Sequence, residues 1–448
     1  MIDEGLVSRA IKGETPATYV IIHMLTTALR RSIGGAFSRA CLNQHAKEYR
    51  AQLVLKILPY WLETIDPSHG GFLLSDDAIR GRSAPKEKQL ATQMRMVWAF
   101  SHAHLHGLDN EGQCLKAADN GYRFLTEQFL DHENDGYFWK TDISGKTIND
   151  RKILYGQSFV IYALVEYHRA TKQVEPLRHA MELYCLLQDH AHDQKNQGWI
   201  EHFTADWKPL DAYDSLAEVE VIGYKSANTH LHLQESLIEL YDATGEASVK
   251  QSLEEVLEIN KHYFYPENPA SSRLHYNPDW TEVADASSTM LSYGHNVEFA
   301  HLMIRTENIL GRTEDWPHFY AQINHALKFG YDHWRGGLYY KGVDDRPAYD
   351  TTKVWWPQAE MMSALTEALV HEENAEHRRA LNQLVHFVNE FLTDKRDGVW
   401  LNAVTKQGKP TSVRFTHGQS PGTSKAHSWK DNYHEVRALV KFTEAFLE

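Results

Sequence analysis

The sequence predicts an all-α fold, an (α/α)6 barrel of six helical hairpins. Three observations predict it: a turn motif that recurs along the chain, helices of two alternating kinds, and polar residues gathered at the starts of one kind. The turns come first. Glycine-centred stretches with aromatic or apolar flanks recur as "DPSHGGFLL" at Gly71, "DHENDGYFW" at Gly136, "HDQKNQGWIEHF" at Gly198, "DHWRGGLYY" at Gly337 and "DKRDGVWLN" at Gly398. A glycine-free counterpart, "NPASSRLHYNPDW", falls near Arg273 and fills the gap. The interval is roughly 60 to 75 residues, too long for one hairpin of a common solenoid and suited to two helices with a long connecting loop.

The helices between the turns alternate in character. "AKEYRAQLVLKILPYWLETI", "CLKAADNGYRFLTEQFL", "LRHAMELYCLLQDHA", "VKQSLEEVLEINKHYF", "FYAQINHALKFGYDHW" and "HRRALNQLVHFVNEFLTD" carry apolar residues at three and four spacing opposite a charged face. Their partners are apolar on most sides: "MRMVWAFSHAHLHGL", "LYGQSFVIYALVEYHRA", "NTHLHLQESLIELYDATG", "YGHNVEFAHLMIRTENILG", "WWPQAEMMSALTEALV" and "YHEVRALVKFTEAFLE". A helix apolar all round is buried, so amphipathic outer helices around apolar inner ones form a closed double ring. The catalytic barrel is expected to be one domain over residues 43–448. Residues 1–42 differ in composition and are expected to form an extension outside it; Asp3, Glu4 and Glu14 argue against a transit peptide there.

Polar residues interrupt the inner helices near their starts: Arg95, Tyr155, Asn228 with His232, His295 with Glu298, Trp356 with Glu360, and His434. A ring of parallel inner helices would gather all of them at one mouth. Helix N-termini aimed into that mouth favour an anion and keep nearby imidazoles neutral, and a neutral imidazole can act as a base. Trp355, Trp356 and Trp429 offer flat apolar faces of the kind that stack on sugar rings, while Arg95, Asn228 and Gln358 can hydrogen-bond hydroxyls. Glu298 follows His295 by one turn, and Glu235 follows His232 at the same offset. His230 points elsewhere on its helix and reads as core.

Composition excludes several classes. The 448-residue chain has 42% hydrophobic residues and a net charge of -14 without a basic run, so neither nucleic acid nor a membrane surface is expected as a partner. The longest apolar stretch, "TYVIIHMLTTALRR", is short of the roughly 20 residues that cross a bilayer and has its arginines on the wrong side for a secretory signal. Cys41, Cys114 and Cys185 are widely spaced and read as reduced packing residues of a cytoplasmic protein. His102 and His106 share a helix face, but no third ligand lies near in sequence, so no metal is expected. GxGxxG after a strand, GxxxxGK[ST] and GxSxG are all missing, so no cofactor is expected. Neutral or cationic small ligands remain open, and a monomer or homodimer is expected.

Six stretches, "RMVWAFS", "YGQSFVIYAL", "NTHLHLQE", "SYGHNVEFA", "WWPQAE" and "WKDNYHEVRAL", resemble in order those of the N-acylglucosamine 2-epimerase family, with its cellobiose 2-epimerases, mannose 2-epimerases and mannose isomerases. The likeness runs from about residue 45 to the end and implies the same barrel fold. It implies that His295 and His434 are the acid/base pair, supported by Glu298 and Glu235. It further implies that His232 and Arg95 hold the reacting end of the sugar, Asn228 and Tyr155 bind hydroxyls, and Trp356 and Trp429 flank the ring. The implied activity is cofactor-independent 2-epimerisation of an aldose of mannose/glucose type, extending to the reducing end of β-1,4-disaccharides such as cellobiose, through an enediolate. Mannose to fructose isomerisation on the same residues is the alternative, and a glycoside hydrolase of this fold is a more distant one. Two departures bear on substrate: Asp431-Asn432-Tyr433 replaces an expected Cys-Pro-Tyr before His434, and His301 stands where tryptophan is expected.

Overall fold

The computed structural model describes residues 39–448, apart from 76–84, 110, 212–217, 269, 271, 284–289 and 413–419. Among the described residues twelve helices form two concentric rings. The outer ring consists of α1 (Arg39–Gln52, continuing helical to Leu62), α3 (Gln113–Phe124), α5 (Val174–His190), α7 (Ala247–Ile259), α9 (Trp316–His325) and α11 (Ala375–Phe387). The inner ring consists of α2 (Leu90–Leu105), α4 (Leu154–Thr171), α6 (Ala227–Thr244), α8 (Tyr293–Leu310), α10 (Trp355–His371) and α12 (Tyr433–Phe446). Each inner helix packs on the next, and α12 closes the ring on α2. This is the (α/α)6 barrel expected from the sequence.

Burial explains the alternation. On α7 the buried residues, Val249, Ser252, Leu253, Val256 and Leu257, follow three and four spacing, whereas on α4 every residue from Leu154 to Tyr167 is buried. A helix with solvent on one side needs one apolar stripe; a helix between neighbours on all sides needs apolar residues all round. The first outer helix begins at Arg39, ahead of the boundary expected after residue 42, and Leu42 is already buried in the core. The remainder of the expected extension, residues 1–38, lies outside the described residues, as does the stretch "TYVIIHMLTTALRR". Among the described residues no helix is long and apolar enough to cross a membrane. Cys41, Cys114 and Cys185 form no disulfide.

The recurring turns have a common construction. In four of them a buried lysine just before an inner helix reaches the first aspartate of a turn: Lys88 to Asp66 at 2.8 Å, Lys152 to Asp131 at 2.8 Å, Lys225 to Asp193 at 2.9 Å and Lys353 to Asp332 at 2.9 Å. The other oxygen of each aspartate accepts backbone N–H groups of its own turn, as Asp332 does from Trp334 and Arg335. A glutamine on the third residue after the inner helix start then clamps the turn through both amide atoms. Gln93 bonds the N–H and C=O of Phe72, Gln157 those of Tyr137, and Gln358 those of Leu338. Gly71 and Gly337 sit against these clamps with φ of 68° and 92°, and an added Cβ would lie 2.8 Å from Gln93 Oε1 or 3.1 Å from Gln358 Oε1. Glycine is required there by both dihedral and space. The glycine-free stretch near Arg273 is tied back by the same backbone bond, Arg273 N–H to Phe264 C=O at 2.9 Å, as Phe138 N–H to Phe129 C=O at 2.8 Å.

Short antiparallel strands tie consecutive units together at the end where the inner helices start. Lys152–Ile153 pairs with His202–Phe203, Lys225–Ser226 with His275–Tyr276, and Lys353–Val354 with Ala403–Val404. The first N–H groups of inner helices, which have no partner within the helix, donate to the next unit: Leu154 to Glu201, Ala227 to Leu274 and Trp355 to Asn402. The helix starts are thereby held at one level, which is what collects their side chains.

Candidate active site

One cavity lies at that level. It is lined by Arg95 from α2, Tyr155 from α4, Asn228 and His232 from α6, His295 and Glu298 from α8, Trp355 and Trp356 from α10, and Trp429 and His434 at and before the start of α12. Every inner helix contributes. Val219, Tyr340, Asn402 and His427 from loops and Val354 from the short strand before α10 complete the wall.

The two histidines on α8 and α12 line the same cavity and both lie against Trp356. The Trp356 ring lies 4.7 Å from the His295 ring at 35° and 5.8 Å from the His434 ring at 38°, centroid to centroid. Trp355 meets His434 edge-on at 5.2 Å. On the opposite side Tyr155 stands edge-on to His232 at 5.2 Å, and Trp429 lies 6.1 Å from Tyr155. The cavity therefore has aromatic walls and imidazoles set into them, a lining suited to a small polyhydroxy ring.

Beneath the cavity lies a buried charge cluster centred on Arg437, one turn after His434 on α12. Its guanidinium donates to Glu235 and Tyr433 through Nη1, and to Glu298 and Glu360 through Nη2, both at 2.7 Å. Glu360 accepts the His434 Nδ1–H at 2.5 Å, and Glu235 accepts the His232 Nδ1–H at 2.9 Å. A carboxylate on Nδ1 fixes the tautomer of each ring and leaves Nε2 as the basic atom. Burial pushes the His434 imidazolium down to about 3, outweighing the attraction of Glu360, and burial likewise lowers His232 despite Glu235. Both rings are neutral at neutral pH.

The three acids divide. Burial would raise Glu235, but Arg437 and His232 hold it at about 2; burial would raise Glu360, but Arg437 and His434 hold it well below the usual range. Glu298 goes the other way, since burial and the neighbouring Glu360 charge lift it well above the usual range. One guanidinium compensates two carboxylates better than three, so the third retains its proton. A protonated Glu298 can donate a hydrogen bond, and it faces the cavity.

Asn228 is oriented by Glu220, a residue the sequence reading passed over. Glu220 accepts the Asn228 Nδ2–H at 2.8 Å and the His275 Nε2–H at 2.8 Å. Burial would raise its carboxyl, but His275, Asn228 and the nearby His295 hold it at about 2. With Nδ2 engaged, Asn228 presents its Oδ1 as the acceptor for a ligand hydroxyl. Arg95 donates to Tyr155 OH at 2.6 Å, lies over the Phe159 ring at 4.2 Å and approaches Asp431 to 3.8 Å.

Three expected ligand contacts are placed otherwise. Gln358, expected to bind hydroxyls, is a correction: its amide is fully buried, bonds Leu338 and Val354 backbone atoms, and does not reach the cavity. Glu235 and Glu360 also lie behind the wall, touching His232 and His434 rather than the cavity. His230 is core as expected and takes the place of the glutamine clamp, accepting Trp199 N–H at 3.2 Å. His102 and His106 lie at the far end of α2, bonded to Glu166 and Glu444 from other helices.

Two acid and imidazole groups in the site, His232 with Glu235 and Glu298, and Glu298 with Glu360 and His434, bring ligand atoms within 4.8 Å of one another. Arg437 already donates to all three carboxylates, so a divalent ion there would meet a resident cation.

Asp431 supplies a pH test of the site. Burial raises its carboxyl from 3.8 to about 6, with Arg95 offsetting only part. A carboxyl raised on folding adds stability below its ordinary value and loses it as pH rises through the raised one. Asp431→Asn keeps the acceptor for Tyr433 N–H and removes the titration. Thermal denaturation at about pH 4 and about pH 7 should show the variant gaining on the wild type at the higher pH, by on the order of 1–3 kcal/mol. Parallel stability profiles would contradict the assignment.

Comparison with known proteins agrees with this fold. A cellobiose 2-epimerase structure from Spirochaeta thermophila superposes with a TM-score of 0.78 at 31% identity, covering 91% of this chain and 98% of that one. The cellobiose 2-epimerase of Dictyoglomus turgidum is 28% identical over 394 residues, 86% of this chain and 95% of its own length. The D-mannose isomerase of Marinomonas mediterranea is 23% identical over 418 residues, 88% and 96%. The N-acylglucosamine 2-epimerase (GlcNAc 2-epimerase) family profile matches residues 71–421, most of the barrel. With the fold, the ordered stretches and this match in agreement, the chain belongs to the N-acylglucosamine 2-epimerase family.

Proposed function

We propose that the protein is a cofactor-independent sugar 2-epimerase, interconverting aldoses of mannose/glucose type, free or at the reducing end of a β-1,4-disaccharide. The observation that carries this reading is the pair His295 and His434, on different helices, in one cavity and both against Trp356. Once the sugar ring opens, the C1 aldehyde acidifies the C2 proton. One neutral histidine removes it, and the negative charge moves to O1 as an enediolate. Arg95, the protonated Glu298 and the inner helix starts stabilise that oxygen. The second histidine, which enters the step as the imidazolium, gives its ring proton to the opposite face of C2, yielding the 2-epimer, and exchange with solvent then takes the proton from the first ring and restores one to the second.

Glu360 and Glu235 act behind the wall, holding His434 and His232 in the tautomers that leave Nε2 basic. The catalytic domain extends from α1 to the C-terminus. A specific second reading is favoured by the mannose isomerase relative: return of the proton to C1 in place of C2 gives a ketose from the same residues. Incubation of the purified protein with mannose in D2O separates them. Glucose carrying deuterium at C2 is the expected product; fructose as the sole product would reject the epimerase reading in favour of the isomerase, and no deuterium uptake would reject both.

A further inference from the structure

Glu360 is bonded at both oxygens. Oε1 takes the His434 Nδ1–H at 2.5 Å, while Oε2 takes Arg437 Nη2 at 2.7 Å and His301 Nε2 at 2.8 Å. His301 does not line the catalytic cavity. It lies on α8 one turn beyond Glu298 and opens into a second cavity, at the ends of the inner helices away from the catalytic mouth, with His102, Arg305, Ser363 and Lys441. Glu360 is thus the wall between the two cavities, touched by an imidazole from each side.

The guanidinium of Arg437 cannot orient Glu360 alone, because the same fork also serves Glu235 and Glu298. The terminal torsion of a glutamate is broad, so a carboxylate held at one oxygen can turn and withdraw the other. His301 supplies the second fixed donor. We infer that His301 is a positioning residue for the reaction: through Glu360 it sets the orientation of His434, from a cavity the substrate does not enter. This rests on the reading of His434 as a proton-transfer residue.

The groups facing His301 are Glu360 on α10, Arg437 and Lys441 on α12, His102 on α2 and Arg305 on its own helix, with His434 across the carboxylate. Burial and the two α12 cations keep the His301 ring neutral, so Nε2 carries a proton toward Glu360 only as long as that tautomer is held. Protonation of the ring places a positive charge next to Glu360 and weakens its pull on the His434 Nδ1–H.

The test compares His301→Phe, which removes the donor, with His301→Gln, whose amide N–H can replace it. In His301→Phe, kcat should fall about tenfold with KM within about twofold, the loss of one hydrogen bond to a charged group felt in the transition state. The downfield His434 Nδ1–H proton resonance, assigned by its loss in His434→Gln, should shift and broaden in the phenylalanine variant and return in His301→Gln. Unchanged kcat and resonance in His301→Phe, or a glutamine variant that behaves as the phenylalanine one, would overturn the inference. Should the phenylalanine variant not fold, the wild-type resonance decides: it must move as the His301 ring titrates, and a His434 signal indifferent to that titration overturns the inference equally. The resonance needs no turnover, so failure of the epimerase reading, seen as no C2 exchange by the wild type, is distinguishable.

Discussion

Replacing His434 by glutamine should lower kcat for C2 epimerisation by roughly 10²–10⁴-fold, the usual contribution of a positioned general acid or base. The glutamine amide can occupy the imidazole volume and bond Glu360, but it has no basic atom where Nε2 stood. The expected split is a large loss in kcat with KM little changed, because proton transfer is realised in the transition state and not in binding. Steady-state kinetics on mannose, with circular dichroism to confirm the fold, reads this directly. A variant that keeps most of its kcat would remove His434 from the chemistry. Its contacts with Trp355 and Trp356 and its hydrogen bond to Glu360 would then be structural.

The largest effect on stability is expected at Arg437. Arg437→Met removes the cation that donates to Glu235, Glu298 and Glu360, all buried within the inner ring. Breaking a buried ion cluster by deleting one partner leaves the other charges uncompensated and costs about 3–5 kcal/mol. The sign with pH follows from the acids left behind. Glu235 and Glu360, held low by Arg437, lose that support and rise, so the destabilisation is greatest where they would be charged and shrinks as pH falls and they take up protons. Urea denaturation at about pH 8 and about pH 5 should show the larger deficit at the higher pH. A deficit that is small and independent of pH would mean that the carboxylates are compensated elsewhere.

The barrel was legible because its signals are local. Turn glycines such as Gly71 and Gly337 are dictated by their own dihedrals and close neighbours, and the stripe on α7 or the unbroken burial of α4 follows from the spacing of apolar residues. The ring of helix starts then placed Arg95, Tyr155, Asn228, His232, His295, Glu298, Trp356 and His434 in one cavity without further information. What escaped was of two kinds. Tyr340, Asn402, His427 and Glu220 come from loops, where no periodicity says which way a side chain points. Gln358 failed differently, because an amide near the start of an inner helix has the same appearance whether it meets a sugar or a neighbouring backbone. The recurrence of glutamine at Gln93, Gln157 and Gln358, each on the third residue after a helix start, was the signal available, since a ligand contact has no reason to repeat around a ring and a structural clamp does. Arg437 carried its own signal too, as an arginine one turn beyond His434 on the face of an inner helix that is buried. The departures noted before His434 now have places: Asp431 lies beside Arg95 at the cavity, and His301 behind it on Glu360.

If two imidazoles address one carbon from opposite faces, C2 deuterium exchange must divide between the single variants. Glucose and mannose are each incubated in D2O with His434→Gln and with His295→Gln, and exchange is followed by proton NMR. Each variant should still exchange the C2 proton of one epimer and not the other, with the retained epimer reversed between the two variants. Loss of exchange from the same sugar in both variants, or its retention from both sugars in both, would mean that a single base serves both faces.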